Sequence, residues 1–222
     1  MSVITSKSRS GSSKARERSR RHAPEEARRE ILDSATRFLQ KGHFRDLTVG
    51  ELMAGTTLSR PASYPHDPDL HDLIVSLLRD IEAVMHQTAS PWIDGEGEPI
   101  AALRESHRGV VETCVEHGHI IRAIVEAAPL DERLEQAWQS FMQRWDDVVE
   151  ARIVAQQQEG LIPPCDARRI ANALNALDVN MVVAAFGREP HDDPRQVLET
   201  MHRVWSSTLY GRPPDALTPK NK

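Results

Sequence analysis

Apolar side chains recur every three or four positions along most of the chain, which is the spacing that places them on one face of an α-helix. The first such segment runs from about Pro24 to Lys41, with Ile31, Ala35 and Leu39 on its apolar face. No run alternates apolar and polar residues in the manner of a half-buried strand, and aromatic residues make up only 5% of the chain. The pattern predicts an all-α protein of about nine helices.

A short helix, a tight turn and a second short helix are predicted directly after this first helix. Thr48 and Glu51 have the spacing of a capping box, in which each side chain accepts a hydrogen bond from the other residue's backbone N–H. Gly55 is predicted to end the short helix, and Ser59 is a suitable cap for the next one. Three helices in this order predict a helix-turn-helix DNA-binding domain over residues 24–67.

The remaining helices are predicted to form a larger domain over residues 68–212, followed by a polar tail over 213–222. Its first helix is expected to begin near Pro68 with Asp67 as its cap, and the Gly- and Pro-rich stretch 90–99 is expected to form a loop. Further helices are predicted over 100–117, 119–128, 130–159, 166–187 and 193–210.

The last two predicted helices have apolar residues on two adjacent faces. In the final helix, Val197 and Met201 lie on one face, whereas Leu198 and Trp205 lie on the neighbouring one. Such wide apolar arcs exceed what one core requires. The pattern therefore predicts a homodimer in which this helix pair packs against the same pair of a second copy. A helix pair that is wholly buried in a monomer is the alternative.

Charge is distributed unevenly along the chain. Residues 1–29 carry nine Lys or Arg and three Glu, net +6, and the rest carries nineteen against thirty, net −11, which together give −5. Lys and Arg side chains neutralise DNA phosphates. The basic, Ser-rich arm over residues 1–23 is therefore expected to be disordered and to contact DNA, with a solvated tail that aids solubility as the alternative.

Several classes of protein are disfavoured by what the sequence lacks. No apolar stretch approaches the ~20 residues that span a bilayer, and no apolar run follows the basic N-terminus as it would in a secretory signal. Cys114 and Cys165 form neither a C-x-x-C motif nor a disulfide framework. We therefore expect a cytoplasmic protein without contact to a membrane.

No catalytic motif or phosphate-binding loop is present. The cluster around His66 and His71 is a weak metal candidate, because these two residues are five apart, whereas ligands on one helix face are three or four apart. We therefore expect neither an enzyme nor a bound cofactor or metal ion.

The stretch ILDSATRFLQKGHFRDLTVGELMAGTTLSRPASY, residues 31–64, resembles the DNA-binding domain of the TetR family of transcriptional regulators. The similarity includes Gly42, the cap at Thr48 and the turn that begins at Gly55. Further similarities at LSRPASY, AWQSFMQRW, ALNAL and VWSSTLYG lie in register over roughly residues 28–211 and point to the mycobacterial EthR-like branch. The resemblance implies a dimeric repressor that binds operator DNA and is released by a hydrophobic small molecule.

The region after the predicted recognition helix departs from that family. The family has a run of aromatic residues and a lysine there, whereas this chain has Ser63, Pro65, Asp67 and Leu70. Leu70 cannot contact a phosphate by charge, and Pro65 disfavours helix at Tyr64. A ligand- or partner-binding protein whose DNA-binding domain no longer recognises sequence is therefore the alternative function.

The predicted DNA contacts come from the arm and from the helix-turn-helix domain. Arg60 is suited to a bidentate contact with guanine, and most of the others carry charges or hydroxyls suited to phosphates. The full set is Lys14, Arg16, Arg18, Arg20, Arg21, Thr48, Thr57, Ser59, Arg60, Ser63, Tyr64 and His66.

The predicted ligand contacts lie on the long helix over 130–159 and on the final helix pair. Asn175 has apolar neighbours, and a buried amide needs hydrogen-bond partners, so a ligand acceptor is expected to face it. Asp178 stands where the EthR-like branch has a second Asn, so the pocket is expected to differ in polarity. Ordinary core packing is the alternative for the aromatic residues. The predicted set is Trp138, Phe141, Met142, Trp145, Asn175 and Trp205.

Overall fold

The computed structural model describes residues 11–58 and 69–211, with side chains from Glu26 onward, and these ranges contain helices but no strand. The all-α prediction is confirmed. None of the helices in these ranges combines the length and hydropathy needed to cross a membrane. The elements are α1 (Gly11–Lys41), a 3₁₀ helix (Phe44–Asp46), α2 (Val49–Ala54), α3 (Leu70–Ile93), α4 (Pro99–Ala127), a second 3₁₀ helix (Ala128–Leu130), α5 (Glu132–Gln158), α6 (Ala167–Phe186) and α7 (Pro194–Tyr210).

The first helix is longer than the sequence pattern predicts. It begins at Gly11, so the predicted start at Pro24 is wrong, and part of the arm that was expected to be disordered is helical. The run KARERSRRHAPEEARR is rich in Ala, Arg, Lys and Glu, which have high helix propensity. This propensity continues the helix into the arm. The predicted recognition helix falls within residues 59–68 and lies outside the described residues.

Helix α2 is held against α1 by backbone carbonyls. The Ser34 hydroxyl donates to the Leu52 carbonyl at 2.7 Å, and Arg37 donates to the Gly55 carbonyl at 2.7 Å. The predicted capping box is confirmed, since the backbone N–H of Thr48 and that of Glu51 each donate to the other's side chain at 3.2 Å. The first two helices therefore form one small unit.

Helix α3 begins later than predicted. The start near Pro68 with Asp67 as cap is wrong, because the Asp69 carboxylate accepts from the backbone N–H of His71 at 2.9 Å and α3 begins at Leu70. Asp69 also accepts two hydrogen bonds from Arg133 of α5, at 2.8 and 2.9 Å. The Arg133 guanidinium holds the pKa of the Asp69 carboxyl well below its usual range.

Helix α3 also extends into the predicted loop at 90–99, as far as Ile93, because α4 satisfies the backbone around Pro91. The Ser106 hydroxyl accepts from the Trp92 backbone N–H at 3.0 Å and donates to the Ala89 carbonyl at 2.8 Å. Burial of the Trp92 side chain further stabilises the last turns of α3. The loop is correspondingly short and ends at Pro99.

Helix α4 replaces the two helices predicted over 100–117 and 119–128. Gly118 does not break the helix, because it lies where α4 meets the end of α6. A Cβ atom on Gly118 would lie 2.7 Å from the carbonyl oxygen of Phe186. The glycine therefore serves close packing, and α4 contacts α1, α3, α5, α6 and α7 as the central helix of the larger domain.

Both predicted apolar faces of α7 are buried in the protomer. Val197, Leu198, Met201, Trp205 and Leu209 all lie in the core. Packing within the protomer thus accounts for most of this pattern, Val204 is half-buried, and the homodimer through α6 and α7 stays a prediction.

The outward face of α6 is different. Ile170 and Met181 are half-buried and Leu177 is exposed, so an apolar stripe of α6 is only partly covered by the described residues.

A single buried guanidinium joins α4 to the ends of two other helices. Arg122 is 3% exposed and donates to the carbonyl oxygens of Leu39 at 2.8 Å, Gly42 at 2.9 Å and Gly187 at 2.7 Å. The first two lie at the C-terminal end of α1 and the third caps α6. The last carbonyls of a helix have no partner within the helix, so Arg122 satisfies groups that burial would otherwise leave without hydrogen bonds.

We expect Arg122→Met to lower the free energy of unfolding by about 3 kcal/mol, because it leaves buried carbonyls without partners. Urea unfolding followed by circular dichroism measures this. Arg108→Met is the matched control, since Arg108 lies on the same helix, is exposed and, among the described residues, pairs only with Glu105 one turn away. Equal losses in the two variants would contradict the role given to Arg122.

Candidate ligand cavity and DNA-contacting residues

A cavity of about 90 Å³ lies within the larger domain, between α3, α4, α5, α6 and α7. Its walls are mainly apolar side chains, and most of its polar groups come from α4 and α6. The lining includes Met85, Ala89 and Trp92 of α3, Ser106, His107 and Cys114 of α4, Phe141, Met142 and Trp145 of α5, Asn175 and Asp178 of α6, and Trp205 of α7.

Five of the six residues predicted as ligand contacts line this cavity. Trp138 does not, because it lies one helical turn before Met142, where it stacks on Phe141 with ring centres 5.3 Å apart. The spacing along α5 thus identifies the correct helix face but not the end of the cavity.

Sequence reasoning missed the contribution of α3 and α4. His107 had a usable signal, since it lies four residues from both Leu103 and Val111 and so interrupts an apolar stripe of α4. Trp92 had none, because the stretch around Pro91 was predicted to be a loop. Asp178 was identified as a departure from the EthR-like pattern but was not among the predicted contacts.

Asn175 is buried and belongs to a hydrogen-bond network behind the cavity wall. Its amide nitrogen donates to Asp146 Oδ1 at 2.8 Å, and that of Asn172 donates to Asp146 Oδ2 at 3.0 Å. The buried Asp146 is therefore satisfied on both oxygens. Since one amide hydrogen of Asn175 is already used, its carbonyl oxygen is the group most available to a ligand, whereas the sequence prediction had the amide donate.

His107 is buried at the cavity, and neither of its ring nitrogens has a hydrogen-bond partner among the described residues. Its ring meets Trp205 edge-on with centres 5.1 Å apart and lies 5.9 Å from His202. Burial, and secondarily His202, lowers the pKa of His107 to about 3. The imidazole is therefore neutral at neutral pH and can offer one donor and one acceptor.

Asp178 places a carboxyl group in the same wall. Burial raises the pKa of Asp178 to about 8, against the opposing effect of the Trp205 indole N–H, which faces the carboxyl without reaching full hydrogen-bond geometry. Burial, and secondarily Asp178, raises the pKa of the Cys114 thiol to about 12. The polar groups at this end of the cavity are thus mostly uncharged at neutral pH.

The predicted DNA contacts are only partly described. Thr48 caps α2, where its hydroxyl accepts from the Glu51 backbone N–H and donates to the Glu51 carboxylate at 3.2 Å each. The backbone N–H of Thr57 donates to the Glu30 carboxylate. The side chains of Lys14, Arg16, Arg18, Arg20 and Arg21, and all of Ser59, Arg60, Ser63, Tyr64 and His66, lie outside the described residues.

Comparison with known sequences gives matches to one group of regulators. Residues 103–211 match the family model for the C-terminal domain of the transcriptional regulator EthR. The HTH-type transcriptional regulator EthR of Mycolicibacterium smegmatis is 27% identical over 203 residues, which cover 89% of this chain and 92% of that protein.

Solved structures share the fold. A regulatory protein in the TetR family from Rhodococcus RHA1 has a TM-score of 0.66 at 18% identity and covers 82% of this chain and 96% of its own. The regulator AibR, solved in complex with isovaleryl coenzyme A and operator DNA, has a TM-score of 0.60 at 17% identity, with 83% and 98% covered. At such identities the likeness establishes a common architecture.

We expect the stability difference between the native protein and Asp178→Asn to depend on pH. The folded-state pKa of Asp178 is raised, so its proton stabilises the fold fully below the unfolded value of about 4, and this contribution is lost as pH rises through about 8. Over that range the difference in unfolding free energy should fall by several kcal/mol, on the order of 1.4 kcal/mol per pKa unit.

Urea unfolding at intervals from pH 4 to pH 9 measures this difference. The comparison cancels the contribution of His107, whose depressed pKa makes both proteins lose stability as pH falls. A difference that stays constant over the whole range would show that the Asp178 carboxyl is solvated.

Proposed function

We propose that this chain is a TetR-family regulator of the EthR type and acts as a dimeric repressor that leaves operator DNA when a hydrophobic small molecule binds. The observation that carries the proposal is the apolar cavity between α3 and four other helices. An apolar cavity with a few polar groups is typical of a small-molecule site. We place its action in the cytoplasm, on double-stranded DNA.

The DNA-binding segment precedes the segment that binds the ligand and dimerises. Residues 24–67 bind DNA with help from the arm over 1–23, and residues 68–212 bind the ligand and dimerise. Helix α3 connects the two parts, because its first residue, Leu70, follows the segment 59–68 and its last turns line the cavity.

Helix α3 is therefore the element that transmits ligand binding. Its position on α5 is fixed by Asp69 with Arg133 near its start and by Glu82 with Arg144 at 2.6 and 2.7 Å in its middle. At ~1.5 Å per residue its 24 residues extend about 36 Å. A small rotation at the cavity end thus moves the DNA-binding end by several Å.

The volume of the cavity supports such a movement. Pockets that hold drug-sized ligands usually have roughly 300–1,000 Å³, whereas this one has about 90 Å³. A larger ligand must displace the surrounding helices. Two DNA-binding domains in adjacent major grooves must stay ~34–36 Å apart, so a shift of a few Å weakens binding.

The dimer contact is proposed for α6. Ile170, Ala173, Leu177 and Met181 follow one another at helical spacing on its outward face, and Leu177 is 38% exposed. A second copy of the same stripe would cover these side chains in a symmetric four-helix interface with α7 at its sides.

We expect Leu177→Asp to convert the dimer to a monomer without loss of helix content, because the substitution places an unpaired charge in the interface but not in the protomer core. Sedimentation and circular dichroism measure the two properties. Val84→Asp is the control, since Val84 is 43% exposed on α3, away from α6, and this variant should stay dimeric.

Leu198→Asp should unfold the protein, because Leu198 is buried within the protomer. A dimer that persists in Leu177→Asp would contradict this interface.

DNA binding is the activity that tests the proposal as a whole. We expect the protein to prefer its own upstream DNA to random DNA in an electrophoretic shift assay. Deletion of residues 1–23 should weaken binding and flatten its salt dependence, since each lost phosphate contact lowers the slope of log K against log salt by about one unit.

Arg60→Ala should relax sequence preference with little change in that slope, because a base contact is lost rather than several phosphate contacts. Arg169→Ala controls for the loss of one arginine, as Arg169 is highly exposed on α6. If the intact protein shows no preference for its upstream DNA, the departures at Ser63, Pro65 and Asp67 have removed sequence recognition, and repression is excluded.

A further inference from the structure

We propose that the cavity takes hydrophobic amines and that the Asp178 carboxylate holds their ammonium group. This inference rests on the proposed ligand-binding role and names the chemical class of the ligand. It starts from a carboxyl group that the protein buries beside a cavity without supplying a cation for it.

The position of Asp178 is the first observation. It lines the cavity, and its Oδ1 atom is shielded from solvent and accepts no hydrogen bond within the described residues. None of the described residues in the cavity wall is a lysine or an arginine. A buried carboxylate without a partner is costly. A ligand that carries a positive charge would form the ion pair that the described residues do not provide.

The groups that face Asp178 from the neighbouring helices are the second observation. The Cys114 thiol on α4 is protonated, because burial raises its pKa to about 12, and His107 on the same helix is neutral. Trp205 on α7 contributes an indole N–H. These groups bring no positive charge to Asp178, and none of them would repel a cation that enters beside it.

The nearby acid Asp146 does not compete for the ligand. It lies outside the cavity wall, and its two oxygens accept hydrogen bonds from Asn172 and Asn175. The two asparagines thus satisfy the Asp146 carboxyl, whereas the Asp178 carboxyl lines the cavity and is available to a ligand.

The aromatic residues around the same end of the cavity are the third observation. Trp205 meets Trp92 edge-on at 5.8 Å and His107 at 5.1 Å, and Trp145 lies in the adjacent wall. Indole rings attract cations and pack well against the alkyl groups next to an ammonium nitrogen. The carboxyl and these rings together suit an amine that carries an apolar chain.

The proton balance follows from the same geometry. Without ligand, Asp178 is mostly protonated at pH 7, because burial raises its pKa to about 8. An alkylammonium ion, whose proton is held at a pKa near 10 as in lysine, enters with its proton, and the proton of Asp178 leaves to the solvent. Binding of an amine therefore releases close to one proton per site, and binding of a neutral ligand releases none.

Hexylamine and 1-hexanol, which have equal chain length, are the probes. We expect hexylamine to bind the full-length protein about tenfold more tightly than 1-hexanol, a difference of ~1.4 kcal/mol. Titration calorimetry in buffers of different ionisation heat measures both affinity and proton release. Infrared difference spectra should lose the C=O stretch of the protonated Asp178 carboxyl with hexylamine and keep it with 1-hexanol.

Asp178→Asn keeps the shape of the side chain and should remove both the preference for hexylamine and the proton release, while 1-hexanol still binds. Asp147→Asn is the matched control, because it makes the same change at an exposed acid on α5 outside the cavity wall and should keep the preference. A thermal melt verifies that each variant is folded, and the probe comparison in the native protein does not depend on the variants.

The outcomes separate this inference from the proposed function. If 1-hexanol binds as tightly as hexylamine, or if hexylamine releases no proton, the cavity binds apolar ligands but the role of Asp178 is refuted. If neither probe binds and Trp fluorescence is unchanged at saturation of their solubility, the ligand cavity itself is refuted, and the amine inference falls with it.

Discussion

The buried guanidinium of Arg122 is the interaction on which the relation between the two parts of the chain depends. It joins α4 to the last turn of α1 and to the cap of α6, where Leu39, Gly42 and Gly187 present carbonyl oxygens. Its charge is shared with Glu126, which also contacts His43 and Arg188. Since a buried arginine needs most of its donors satisfied, the end of α1 cannot move away from α4 without loss of several hydrogen bonds at once.

The contacts that hold α1 and α3 to the larger domain differ in how deeply they are buried. The end of α1 is fixed to α4 by a buried residue. Helix α3 contacts α4, buries Leu73, Leu77 and Ile81 in the core, and is joined to α5 by two ion pairs, of which Asp69 with Arg133 is exposed and Glu82 with Arg144 is partly buried. Exposed pairs contribute little to stability and are screened by salt. Of the two ion pairs, the one at the start of α3 is therefore the weaker.

The sequence predicts those features that local rules determine and misses those that depend on contacts between distant segments. The capping box of Thr48 with Glu51 and the face of α5 that carries Phe141 follow from spacing alone. The continuity of α4 through Gly118 does not, because the glycine meets Phe186, which is distant in sequence. Likewise, the burial of Trp92 depends on Ser106, which stabilises the helix beyond Pro91. The ends of the cavity are set by such contacts, so five of its residues were predicted and its α3 and α4 walls were not.

The cavity lowers the stability of the fold in two ways, which indicates a functional site. Empty space forfeits packing contacts, and both ring nitrogens of His107 and the Oδ1 atom of Asp178 have no hydrogen-bond partner among the described residues. Leucine or phenylalanine at these positions would fill the space and remove both costs. Local violations of packing and polar satisfaction are expected at functional sites. A carboxyl and an imidazole that line the same apolar cavity thus indicate where the polar group of a ligand would be recognised.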